Sequence, residues 1–147
     1  TLFEKFNKEI AYPFGYGKSY TDFKYSNLMI EKNKILDSTL VVNVDIMNIG
    51  NFAGKEITQL YIGFKNSKID RPIKLLRDFK KNFLDIGESK TINLSVNFND
   101  LKWYNQKSRK WEIEDIEYEI YVGGSSREKD LLSSKFRLSQ HIQHNTF

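Results

Sequence analysis

The stretch Leu40-Val41-Val42-Asn43-Val44-Asp45-Ile46 decides the fold. Leu40, Val42, Val44 and Ile46 are apolar, while Asn43 and Asp45 between them are polar. A period of two places the apolar set on one face of an extended strand. The same pattern returns in Ile92, Leu94, Val96 and Phe98, set against Thr91, Asn93, Ser95 and Asn97. It returns again in Tyr118, Ile120 and Val122, with Glu117 and Glu119 pointing the other way. Each segment reads as a strand with one buried face, as in stacked antiparallel sheets.

Weaker strands lie between these three. Phe23 to Ile30 carries Phe23, Tyr25 and Leu28, and Glu56 to Phe64 is apolar on both faces, which suits a central strand. Leu75 to Leu84, Lys110 to Glu114 and Leu131 to Leu138 complete a count of about eight. Turn residues fill the gaps: Asn48-Ile49-Gly50-Asn51, Asp85-Ile86-Gly87-Glu88, Asn105 to Ser108, and Gly123-Gly124-Ser125-Ser126. Gly87 suits a hairpin turn, and Gly50 and Gly54 suit a turn needing positive φ or close packing. The only helical signal is Asn99-Asp100-Leu101, enough for a single turn. The expected fold is all-β: an immunoglobulin-like or fibronectin-like sandwich of two antiparallel sheets with seven to eight strands.

Composition agrees with a packed β domain. The chain has 147 residues, 14% of them aromatic, with two Pro and eight Gly. That length buries a core without metals or disulfides, and zero Cys removes thiolate zinc sites and cysteine nucleophiles together. A net charge of +4 is small and scattered, so nucleic acid is not an expected partner. No apolar run reaches the length of a membrane span.

The ends differ from the middle. Residues 1–20 lack a clear period, and Tyr12-Pro13-Phe14-Gly15-Tyr16-Gly17 packs aromatics around Pro and Gly. A free linker is polar, so this leader is expected to lie against a neighbour. Residues 21–139 form the domain, and residues 140–147 read as a flexible polar tail.

Candidate chemistry is sparse. Glu112, Glu114, Glu117 and Glu119 alternate with apolar residues and read as a solvated strand face, not an acid/base pair. Asp70, Asp78, Asp85 and Asp100 read as turn or strand-end caps. His141 and His144 are three apart but sit in the tail, where neither a metal site nor a triad has a rigid support. Lys80, Lys81 and Phe83, with Lys107, Arg109, Lys110 and Trp111, mix bases and aromatics. However, Trp111 alternates in phase with Ile113 and is expected to face the core, which argues against nucleic acid. Trp103, Tyr104 and Tyr121 are the candidates for a sugar-stacking platform, ranked behind ordinary packing. Asn93-Leu94-Ser95 matches a glycosylation sequon but falls inside a strand.

The order of motifs is more telling than any one of them. Pro13-Phe14-Gly15-Tyr16-Gly17-Lys18-Ser19-Tyr20-Thr21 precedes Phe23-Lys24-Tyr25-Ser26-Asn27-Leu28. Asn48-Ile49-Gly50, Ala53-Gly54-Lys55-Glu56 and Gln59-Leu60-Tyr61-Ile62 follow. Then come Arg71-Pro72, Leu76-Arg77-Asp78-Phe79-Lys80-Lys81, Leu84 to Ser89, and Tyr118 to Ser126. From Tyr12 to Leu138 this series resembles the C-terminal fibronectin type III-like domain of family 3 glycoside hydrolases, the β-glucosidase and β-xylosidase group.

The resemblance implies a layout in which a TIM-like barrel supplies the nucleophilic Asp and an α/β domain supplies the acid/base Glu in many members. Neither belongs to the matched region, so it implies no catalytic residue and no cofactor in this chain. It implies instead that Phe14, Tyr16 and Tyr20 pack at an interdomain surface, with the catalytic domains of the same polypeptide as partner and an oligosaccharide at a shared rim. Lys18, Asp78 and Asp115-Ile116-Glu117 depart from the family's Leu, Gly and Pro-Gly-Glu at those points. The expected role is a non-catalytic accessory domain; the alternative is a free-standing carbohydrate-binding or adhesion module. The compartment is left open.

Overall fold

The structure, a computed structural model, describes residues 21–31, 39–124 and 131–138. It is all-β, apart from one 3-10 turn over Phe98–Leu101. Nine strands are present among the described residues: β1 (Phe23–Glu31), β2 (Thr39–Asn48), β3 (Gly54–Gly63), β4 (Lys74–Leu84), β5 (Ser89–Asn97), β6 (Lys102–Asn105), β7 (Lys110–Ile113), β8 (Tyr118–Gly123) and β9 (Leu132–Phe136). One sheet has the order β1-β2-β5, the facing sheet β4-β3-β8-β9, and every pairing is antiparallel.

The alternation of the sequence becomes the core directly. Leu40, Val42, Val44 and Ile46 of β2 pair with Val96, Leu94, Ile92 and Lys90 of β5, and all seven apolar members are buried. From the facing sheet, Leu60, Ile62, Tyr118, Ile120, Val122 and Phe136 close on them. Strand β3 lies between β4 and β8, as its two apolar faces require. The hydroxyl of Tyr118 donates to the Glu114 carbonyl at 2.6 Å, fixing the corner before β8. Burial pushes this phenol up to about 12, so it remains a donor.

Four expectations are corrected. Residues 102–105, left unassigned by periodicity, form β6, which pairs with β7 as a separate two-stranded hairpin. The Gly87 turn, with φ 75, is not a hairpin: it carries the chain from β4 in one sheet to β5 in the other. Trp111 does not face the core but is 60% exposed, because the hairpin projects past the sheets and only Ile113 at its base reaches the interior. Asp78 lies within β4, not at a strand end, and its carboxylate accepts from the Ser95 amide of β5 at 2.9 Å. That bond laces the open side of the two sheets together.

Strands β1 and β9 run in the same sense, one in each sheet. The described chain starts beside the β2–β3 turn and finishes at the opposite end, beside the hairpin.

Candidate interaction surfaces

The two ends of the sandwich carry its non-repetitive chemistry. At the first end the organiser is Asn48, fully buried at the close of β2. Its Oδ1 accepts from the Thr21 hydroxyl at 2.6 Å and the Gly50 amide at 3.0 Å. Its Nδ2 donates to the carbonyls of Phe52 and Leu84 at 2.8 and 3.1 Å. Its backbone bonds Glu88 and Gly87, so every polar group of the residue is satisfied. Three segments are thereby tied together: 21–22, 48–54 and 84–88. Gly50 is required for this closeness, since a Cβ there would stand 2.0 Å from Thr21 Oγ1 and 2.6 Å from the Asp22 amide. The loops so fixed display Ile49, Phe52 and Ile86, each more than half exposed.

Just inside this end lies a half-buried polar cluster. The Tyr25 hydroxyl of β1 donates to Glu56 Oε2 at 2.9 Å and lies 3.1 Å from Thr58 Oγ1, both on β3. Burial pushes the Glu56 carboxyl up to about 7, an effect that hydrogen bonds from Tyr25 and the Ile57 amide only partly offset. Burial and the neighbouring Glu56 also push the Tyr25 phenol well above its ordinary range.

At the second end a buried ion pair clasps the β3–β4 loop to the segment after β7. Arg71 Nη2 donates to Glu114 Oε1 at 2.7 Å, with each side chain roughly nine-tenths buried. Ser67 Oγ and the Lys68 amide also donate to Glu114, and Arg71 Nη1 reaches the Leu101 carbonyl at 3.1 Å. The guanidinium sits over the Phe64 ring, 4.1 Å from its centroid. Glu114 is thus not on a solvated face, contrary to its alternation.

Glu119 departs from the pattern in the same way: it is 9% exposed and accepts from the Tyr121 hydroxyl at 2.7 Å. The outer face of β3 and β8 is itself dry, with Gln59, Tyr61 and Tyr121 buried there and Lys74 Nζ poised over both tyrosine rings. On β8 this side, expected to be solvated from its alternating glutamates, is dry at Glu119 and Tyr121.

The three sugar-platform candidates do not come together. Tyr121 belongs to the four-stranded sheet and is 5% exposed, and Trp103 is half-buried on β6. Tyr104, adjacent to Trp103, points to the opposite face of the hairpin and is exposed. Its cross-strand neighbour Trp111 joins it in an edge-to-face pair with centroids 5.5 Å apart. Below them Glu112 accepts from Asn105 and Ser108, and these bonds hold its carboxyl below the usual range. The interdomain candidates Phe14, Tyr16 and Tyr20 lie outside the described residues, as do Lys18, His141 and His144. The leader and tail assigned to residues 1–20 and 140–147 lie outside them as well. No helix among the described residues is long and apolar enough to cross a membrane.

Known proteins share this architecture. Residues 56–126, from β3 to just beyond β8, match the fibronectin type III-like domain family. A β-glucosidase of Kluyveromyces marxianus is 42% identical over 135 residues, covering 90% of this chain and 15% of that protein. Thermostable β-glucosidase B of Acetivibrio thermocellus is 40% identical over 121 residues, covering 82% of this chain and 16% of that protein. Among solved structures, β-glucosidase 3B of Thermotoga neapolitana in complex with α-D-glucose superposes with a TM-score of 0.71 at 37% identity. That match covers 82% of this chain and 16% of the other. This chain therefore spans only a small fraction of the relatives it matches. Sheet order, matched residues and relatives agree: the chain is a fibronectin type III-like domain, similar to one small part of the family 3 β-glucosidases.

Proposed function

We propose that the chain is a non-catalytic accessory domain that packs against and stabilises the catalytic domains of a β-glucosidase-like glycoside hydrolase. The observation supporting this is a proportion: a β-glucosidase matches 90% of this chain while the match uses 15% of the β-glucosidase. The acidic side chains singled out by burial fit the same reading, since Glu114 is committed to Arg71, Glu119 to Tyr121 and Glu56 to Tyr25. Hydrolysis of O-glycosidic bonds is on this view the work of the rest of a larger polypeptide.

The test is the size of the native gene product and its response to the leader. A band several times larger than 17.4 kDa on an immunoblot raised against this chain is expected. Replacing Phe14 and Tyr16 with Ser then lowers the thermal midpoint of that product more than that of the 147-residue chain. A band at the chain's own mass overturns the proposal.

A second reading rests on the exposed Tyr104–Trp111 pair, which offers an aromatic surface to a sugar ring. A free-standing carbohydrate-binding module would be retarded on polysaccharide affinity gels, and Tyr104→Ala with Trp111→Ala would remove the retardation. The accessory role predicts no retardation of the chain in the first place.

A further inference from the structure

Loops on a protein surface are ordinarily polar and mobile. The loops at the first end of this sandwich are instead tied down by hydrogen bonds and carry large exposed apolar side chains. Asn48 spends all its hydrogen-bonding groups on tying residues 21–22, 48–54 and 84–88 into one block. Ile49 bonds its amide to the Asp22 carbonyl at 2.8 Å, so its backbone belongs to the block. Among the exposed polar residues Asp22, Asn51 and Asp85, this block raises three large apolar side chains into solvent: Ile49 at 54%, Phe52 at 52% and Ile86 at 62% exposed. Met47 and Phe83, also exposed, flank it on β2 and β4. Rigid support beneath an exposed apolar group is what a binding surface needs, because the ordering cost is met before the partner arrives.

The occupant follows from where the chain is attached. Thr21 and Asp22 lie inside this block, against Gly50 and Asn48. Everything N-terminal to Thr21 is therefore covalently joined at the apolar end and not at the hairpin end. The chain also corresponds to only 15–16% of two β-glucosidases that it resembles, which leaves a large body of polypeptide to be accommodated. We propose that the block bearing Ile49, Phe52 and Ile86 is the docking face of this domain, and that its partner is an apolar surface of the same parent polypeptide. The proposal rests on the accessory reading and adds to it the face that makes the contact.

Cysteine labelling tests it, since the chain contains no cysteine of its own. Ile86→Cys and, in parallel, Ile49→Cys are prepared in the 147-residue chain and in the full-length gene product. Met29→Cys, at a β1 position 61% exposed, serves as the reference. Reaction with a bulky maleimide is followed by peptide mass spectrometry, which resolves these sites from any other cysteine. In the chain all three positions react at similar rates. In the full-length product the Ile86 and Ile49 positions are expected to react at least about tenfold more slowly, because labelling then requires the contact to open, while the Met29 position is unchanged. Equal reactivity in both proteins overturns the face assignment and leaves the accessory reading standing. If instead the full-length product labels freely while the chain forms a dimer that Ile86→Lys dissolves, the occupant is a second copy and the proposal fails. A gene product no larger than the chain overturns both readings together.

Discussion

Asn48 shows what one buried side chain can hold. Removing its amide leaves the Thr21 hydroxyl, the Gly50 amide and two carbonyls without partners in a dry loop cluster. Each loss costs about 1 kcal/mol or more, so Asn48→Ala is expected to destabilise by roughly 3 kcal/mol, read as a lower urea midpoint with an unchanged slope. Glu56 gives a pH signature. Its carboxyl titrates at about 7 when folded, against an ordinary value of 4.5. Between those values the folded protein keeps a proton that the unfolded chain has lost. Stability contributed by this group is therefore full below pH 4.5 and falls as pH rises to about 7. A shift of that size is worth about 3 kcal/mol, screened by partial exposure to roughly 2 kcal/mol. Glu56→Gln keeps an acceptor for Tyr25 and should flatten this slope, so urea midpoints at pH 5 and pH 8 converge relative to the parent chain. The motif order marked both residues as parts of a pattern, but not their roles. Hydrogen bonds between segments more than twenty residues apart leave no local period to read.

At the scale of elements, strands were legible where a single buried face imposes alternation, as in β2, β5 and β8. Strand β1 carried a subtler sign: its apolar positions change phase between Tyr25 and Leu28. The structure answers with a register shift between Ser26 and Met29, where Asn27 adopts φ 54. The hairpin of β6 and β7 was half missed, since four-residue strands are too short to show a period and their tips leave the core. Its base is held by Arg71 and Glu114, a pair joined across 43 residues that no local pattern announces. Breaking a buried pair on one side strands a charge, so Arg71→Met should cost about 3–5 kcal/mol. Arg71→Met with Glu114→Leu should recover only part of that loss, because Ser67 and Lys68 also lose Glu114 as their acceptor, and a double-mutant cycle in urea measures the coupling.

For the molecule as a whole, the sandwich and its core were legible because they depend on pattern, while the dry outer face of β8 was not. Alternation tells which side chains share a face but not how many of a sheet's faces are covered. The chain has two tryptophans, Trp103 and Trp111, and both stand on the hairpin. Tryptophan fluorescence therefore reports one end and far-ultraviolet circular dichroism reports the sheets. The two urea transitions should coincide in the parent chain, as for a cooperative single domain. In Arg71→Met the fluorescence transition should move to lower urea than the dichroism transition, as the unclasped hairpin loosens first. Coincident curves in that variant would show that the clasp is felt by the whole sandwich at once.

Thr21 and Leu138 stand at opposite ends of the domain. Strand β2 alone has ten residues, a length of about 30 Å at the usual rise of a strand. A reporter or tether fused after Leu138 would be held roughly that far from the Asn48 block. The same geometry makes the domain awkward to graft into a surface loop of another protein, where both joins must lie side by side, but well suited to being appended to the end of a chain.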